Sequence, residues 1–272
     1  MVVKPNIKEF YHKGTGTFSY VVFVHGQENC VIIDPVWDYD FASQKLSEDS
    51  FNLVCGFLIK NKLKPEYILE THIHADHVSS GNLFRQKFNS KIAISDAVSA
   101  VKSAFKQNKE ISGGKDFVNT DFDLYFKDGD KLSVGQLNIE ILAAPGHTPA
   151  CACIVINNDY IFTGDVIFMP DFGTGRCDFP GGSAQQLFSS VSDKLYSRED
   201  DVQLFVGHDY GPGGRDIRFK STIGEQKKLN KHIKTDTNLD EFVAMREARD
   251  ATLNPPKLLA VSMKYNLSLI HI

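Results

Sequence analysis

Thr71-His72-Ile73-His74-Ala75-Asp76-His77 packs three imidazoles and a carboxylate into seven consecutive residues, a density that points to metal. Just before it, Tyr67-Ile68-Leu69 reads as a short apolar strand; just after it, Ser79-Ser80-Gly81-Asn82 followed by Leu83, Phe84 and Phe88 reads as a helix start. The cluster therefore occupies a strand-to-helix turn. In extended backbone, residues two apart project to the same side, so His72 and His74 can face one ion while Asp76 and His77 reach a second position. Solvated loop histidines are the competing reading. Zinc and iron favour imidazole and carboxylate together, and this spacing fits them better.

Three further segments repeat the design. Leu137 to Leu142 leads into Ala144-Pro145-Gly146-His147-Thr148, Tyr160-Ile161-Phe162 into Thr163-Gly164-Asp165, and Val202 to Val206 into Gly207-His208-Asp209. Each is an apolar strand, a turn, then metal-competent side chains. Edges of adjacent strands are where a sheet can gather such groups from distant parts of the chain. Asp34, closing the run Cys30-Val31-Ile32-Ile33, is either a strand-end turn residue or a carboxylate that orients a ligand histidine. Between the last two copies, Asp171 to Gly182 is too glycine-rich for helix or core strand. Arg176 in that stretch either pairs with a nearby carboxylate or grips a substrate carboxylate from a loop over the site, and the second reading is favoured.

The chain has 272 residues, enough for one large domain or a domain with an appendage, with 42% apolar and 24% charged residues. A net charge of -4 without a basic block disfavours nucleic acid. No apolar run approaches the roughly 18 residues of a membrane span. Met1-Val2-Val3-Lys4-Pro5 has neither a signal peptide's apolar core nor an arginine-rich presequence, so a cytoplasmic location is expected. Cys30, Cys55, Cys151, Cys153 and Cys177 are odd in number and lie in apolar surroundings, which reads as buried free thiols.

Phe18 to Val24 and Cys30 to Ile33 read as a hairpin, and Lys91 to Ile94 as a further strand. Helices are expected over about 50–62, 96–105, 185–195, 219–233 and 239–249, and a polar loop beside the site over 107–119. Pro255-Pro256 breaks the last helix, and the apolar tail beyond it is compatible with a homodimer.

The ordered set His72-x-His74-x-Asp76-His77, His147, Asp165 and His208 resembles the metallo-β-lactamase superfamily across roughly residues 12 to 210. The resemblance implies an α+β fold, the αββα sandwich of two sheets packed face to face with helices outside. The catalytic domain is then expected over 1–215, with 216–272 a C-terminal helical extension packed on it. Thr71 to His77, Pro145-Gly146-His147-Thr148, Gly175-Arg176-Cys177-Asp178-Phe179 and His208-Asp209-Tyr210 are similar to the glutathione-persulfide dioxygenases. This implies one Fe(II) per chain on His72, His147 and Asp165, with open positions for glutathione persulfide and O2, and sulfite and glutathione as products. His74, Asp76, His77 and His208 then hold water and orient ligands, and Arg176 holds a glutathione carboxylate. The chain departs from that family at Pro180-Gly181-Gly182, at Gly211-Pro212-Gly213-Gly214-Arg215 and in its longer helical tail.

The alternative is a thioester hydrolase of the glyoxalase II kind with two Zn(II). His72, His74 and His147 hold one ion, Asp76, His77 and His208 the other, and Asp165 bridges them. Against it, the helical tail is short for that family's glutathione-binding domain. A catalytically idle binding module is disfavoured because no ligand position is lost.

Overall fold

The computed structural model describes residues 3–106 and 122–268; the loop read at 107–119 and the chain end from 269 onward, His271 included, lie outside the described residues. The first half of the chain runs β1 (Asn6–His12), β2 (Thr17–Phe23), β3 (Asn29–Ile33), β4 (Val36–Asp40), β5 (Lys45–Ser47), α1 (Asp49–Lys60), β6 (Lys64–Leu69), β7 (Val78–Ser79), α2 (Gly81–Phe88), β8 (Lys91–Ser95) and α3 (Val98–Lys106). After it come β9 (Leu124–Phe126), β10 (Lys131–Val134), β11 (Leu137–Ala143), β12 (Ala152–Ile156), β13 (Tyr160–Phe162), α4 (Ala184–Ser189) and β14 (Gln203–Phe205). The chain closes with β15 (Lys220–Thr222), α5 (Ile223–Leu229), α6 (Leu239–Asp250) and α7 (Leu259–Ser268).

Two six-stranded sheets form, in the orders β1-β2-β3-β6-β8-β9 and β10-β11-β12-β13-β14-β15. The inner strands β2, β3, β12 and β13 are buried along nearly their whole length because both faces are covered. In the first sheet Tyr20, Val22, Val31, Ile33 and Leu69 share a core with Ile139, Ile141, Ile154 and Phe162 of the second, which packs the sheets face to face. The alternate residues Val21, Cys30, Ile32 and Ile68 turn the other way, onto α1, α2 and α3 through Leu58, Phe84 and Val101. Cys153, Val155, Ile161 and Leu204 of the second sheet meet Leu187 of α4, Ile223 of α5 and Phe242 of α6. This two-residue alternation yields four layers in αββα order. A fully buried Ile or Leu in such a core contributes roughly 1.5–3 kcal/mol.

Strand direction places the site. β14 runs parallel to β13, and β12 lies antiparallel to both β13 and β11, so β11, β13 and β14 point the same way. In the first sheet β3, β6 and β8 are mutually parallel. The turns after β3, β6, β11, β13 and β14 thus gather at one edge. The sheets are tied together there, with Phe18 N donating to Gly207 O at 2.8 Å and Asp209 N to Gly16 O at 3.0 Å.

One reading changes. The helix expected over 219–233 begins only at Ile223, because Lys220–Thr222 pairs antiparallel with β14 as the sheet's edge strand. Thr222 then caps α5, its hydroxyl accepting from Glu225 N at 3.1 Å. The apolar tail after Pro255-Pro256 holds a helix, α7, whose Met263 and Leu267 enter the outer core of the first sheet. All five cysteines are buried and unpaired. Among the described residues no helix is long and apolar enough to cross a membrane.

Candidate metal centre

β6 leads into Glu70 and Thr71, and the chain then bends through His72–His77 without regular structure. Asp34, at a left-handed φ of 48°, sets this bend by accepting from Thr71 N and Thr71 Oγ1, both at 2.8 Å. Aspartate tolerates that conformation better than most residues. Gly164 approaches Thr71 so closely, at φ 49°, that a side chain there would collide with the threonine hydroxyl.

His72, His147 and Asp165 converge, each offering a ligand atom within 4.8 Å of the others. His147 Nε2 lies 3.5 Å and His72 Nε2 3.9 Å from Asp165 Oδ2. His147 is aimed by its other nitrogen, which donates to the Arg176 carbonyl at 2.6 Å. A second set stands beside the first. His74, Asp76 and His77 meet the same spacing, and His208 Nε2 is 3.3 Å from both Asp76 and Asp165. Thr17 Oγ1 supports His208 Nδ1 at 3.3 Å.

The donor set fits a metal on its own chemistry. His72 Nε2, His74 Nδ1, Asp76 Oδ2, His77 Nε2 and Asp165 Oδ1 are all buried without a hydrogen-bond partner. A buried polar atom left unsatisfied costs roughly 1–3 kcal/mol, so two such atoms in the first set and three in the second call for positive charge at the site. Burial, reinforced by the neighbouring His74 and His147, pushes His72 well below the ordinary histidine range. Burial likewise brings His77 to about 4 despite Asp76. Both imidazoles are thereby biased toward the neutral form, which offers a lone pair to a metal. Burial opposes ionisation of Asp76, but His208 and His77 hold its carboxyl well below the usual range.

His74 is treated differently. Its Nε2 lies between Asp34 Oδ1 at 3.2 Å and Glu70 Oε2 at 3.1 Å. Burial alone would lower its proton affinity, yet these two carboxylates raise it well above the ordinary value. Glu70 is 5% exposed and also accepts a short bond from the Ser79 hydroxyl. It was not singled out from the sequence, although an acid ending an apolar strand just before the cluster was a usable signal.

The Asp171–Gly182 loop lies over the site. Gly175 rests against the Asp165 carbonyl and the His147 ring, leaving no room for a side chain. Arg176 forks onto Asp178, from Nε at 2.6 Å and Nη2 at 2.5 Å, and gives Nη1 to the Asn254 carbonyl at 2.8 Å. The carboxylate partner of the competing reading is thus present. From behind, α6 fastens the loop: Asp250 accepts from Cys177 N at 2.7 Å, and Arg246 donates to Thr174 O at 3.2 Å. A cavity of about 850 Å³ opens onto Asp76, His147 and Asp165, with Phe172, Phe179 and Tyr210 in its walls. Arg249 and Lys257 also line it, as do Asp38 and Asp40.

The sequence profile of the metallo-beta-lactamase superfamily matches residues 14–208, which spans His72, His74, Asp76, His77, His147, Asp165 and His208. The chain belongs to the metallo-beta-lactamase superfamily. Its metal-binding site is built from the histidines and aspartates typical of that superfamily of metal-dependent enzymes. Glyoxylase B2 of Dictyostelium discoideum is 38% identical over 265 residues, 97% of this chain and 90% of that protein. The human mitochondrial persulfide dioxygenase ETHE1 is 27% identical over 252 residues, covering 92% and 82%. The crystal structure of ETHE1 from Myxococcus xanthus superposes with a TM-score of 0.78 over 98% of this chain and all of that one, at 24% identity, a likeness of fold.

Proposed function

We propose that this protein is a persulfide dioxygenase that uses one Fe(II) on His72, His147 and Asp165. The observation that carries the reading is the donor set itself: His72, His147 and Asp165 each offer a ligand atom within 4.8 Å of the others. Of these, His147 and Asp165 face the cavity, beside Asp76. Two imidazoles and one carboxylate next to an open cavity is the donor set that leaves iron positions for a substrate and oxygen. Held by His72, His147 and Asp165, the ion would supply the redox-active centre for joining a persulfide sulfur to dioxygen. The similarity to the human enzyme and the Gly175-Arg176-Cys177-Asp178-Phe179 loop support the same reading.

In the overall reaction one glutathione persulfide, one dioxygen and one water give glutathione, sulfite and two protons. The residues of this chain orient and shield it. The Arg176 carbonyl holds His147 through Nδ1, Thr17 supports His208, and the aromatic walls keep bulk water from the sulfur. His74, Asp76, His77 and His208 hold water and the ligand carboxylate in place, and the Arg176 side of the cavity takes a glutathione carboxylate.

A second reading has a specific observation behind it. Asp165 turns Oδ2 toward His72 and His147 and Oδ1 toward His208, which supports a bridge between two ions as in a glyoxalase II-like thioester hydrolase, and the Dictyostelium relative carries the name glyoxylase. Oxygen uptake separates the two. Protein loaded anaerobically with Fe(II) and given glutathione persulfide is expected to consume dioxygen and release one sulfite for each. Absence of uptake, together with rapid hydrolysis of a glutathione thioester, contradicts the dioxygenase.

A further inference from the structure

The last helix of the chain reaches back to the metal loop. Asn266 of α7 is 3% exposed and inserts its amide beside the bend. Its Nδ2 donates to the carbonyls of His74 at 2.9 Å and His77 at 2.8 Å, and its Oδ1 accepts from Ser79 N at 2.8 Å. Both amide hydrogens are thereby used, on carbonyls that bracket Ala75 and Asp76. The stretch His72–His77 is neither helix nor strand, so its shape depends on such side-chain bonds. The helix that carries the amide is itself seated firmly. Met263 and Leu267 are buried with Ile73 and Ala75 in one core, and Tyr265 packs edge-on against Trp37 at 6.0 Å.

We infer that Asn266 is a positioning residue for the metal, a clamp by which the C-terminal helix holds the His72–His77 bend in its ligating shape. The inference rests on the reading of this bend as a metal loop. An amide is suited to the task because it offers two donors and an acceptor in one plane, which no aliphatic side chain or carboxylate does. Removing the two donors frees the carbonyls of His74 and His77, so the bend that begins at the ligand His72 no longer holds one geometry. Groups that orient ligands in this way are worth about tenfold to a hundredfold in metal affinity.

The test measures Zn(II) affinity by competition with a chromophoric chelator and the visible spectrum of Co(II)-substituted protein, beside melting temperature without metal. Asn266→Asp keeps the volume and the acceptor but loses both donors; Asn266→Ala loses all three bonds. Tyr265→Ala is the control, since it loosens the same helix at Trp37 and leaves the amide intact. Both Asn266 variants are expected to bind Zn(II) about tenfold to a hundredfold more weakly and to shift the Co(II) bands. Tyr265→Ala is expected to melt earlier yet keep wild-type affinity within about twofold and an unchanged Co(II) spectrum. Wild-type affinity and spectrum in the Asn266 variants overturn the inference. So does a Tyr265→Ala loss of affinity equal to theirs, or failure of both Asn266 variants to fold, since Asn266 then serves the fold and not the metal. Wild-type protein that binds neither ion is a separate result, and it removes the metal-loop reading itself.

Discussion

Asp250→Ala is expected to weaken the fold and the metal site together. Asp250 lies buried on α6 and accepts from Arg246 Nε at 3.0 Å, Arg246 Nη2 at 2.5 Å and Cys177 N at 2.7 Å. Alanine removes all three bonds and leaves the Arg246 guanidinium, 1% exposed, without a counter-charge. Breaking a buried pair from one side costs about 3–5 kcal/mol, a large part of a typical stability of about 5–15 kcal/mol. The loop suffers as well. Cys177 N is released next to Arg176, whose carbonyl aims His147, so metal affinity is expected to fall about tenfold or more. Urea denaturation of metal-free protein followed by far-ultraviolet circular dichroism measures the first effect, and chelator competition the second. The double variant Arg246→Met with Asp250→Leu buries no charge and is expected to be more stable than Asp250→Ala. A loss below about 1 kcal/mol in the single variant, or a double variant less stable than it, refutes the reasoning.

Arg176→Ala is expected to retain metal and to lower kcat/KM for the persulfide about tenfold to a hundredfold, the worth of a charge-assisted contact. Unchanged efficiency with lowered stability leaves Arg176 as the partner of Asp178 alone. A further expectation concerns pH: burial, with Arg246, Lys231 and Arg249 nearby, holds His232 down to about 3, against an ordinary 6.5. The unfolded chain therefore binds a proton that the folded one refuses between those values, and stability falls as pH drops below about 6.5, by up to about 1 kcal/mol per pH unit. His232→Gln, which keeps an acceptor for Thr174 N, should flatten that slope; an unaltered slope in urea denaturation at pH 6 to 4 contradicts it.

The site was legible because its parts sit at strand ends. His72, His147, Asp165 and His208 each follow an apolar run, and parallel strands bring such ends together whatever their separation in sequence. The layers were less legible. β1 (Asn6–His12) is half-buried along most of its length and mixes polar with aromatic residues, so no alternation marks it. Lys220–Thr222 carries no strand pattern of its own and is strand only because β14 offers an edge. Asn266 was invisible for a different reason. A lone polar residue in an apolar tail acquires meaning only from the carbonyls it meets, 189 and 192 residues away. Arg176 lies between these cases: its Asp178 partner two residues on was readable as an option, while the Asn254 carbonyl that fills the rest of the fork was not.

Under the dioxygenase proposal one iron sits on His72, His147 and Asp165, with His208 and Asp76 outside its coordination. Elemental analysis of anaerobically purified protein tests it most directly. One iron per chain is expected in the wild type, none in Asp165→Ala, and one still present in His208→Ala and Asp76→Ala, whose oxygen uptake nevertheless falls about tenfold to a hundredfold. Two tightly held metals in the wild type, dropping towards one in both His208→Ala and Asp76→Ala, contradict it and establish the two-metal site of a hydrolase.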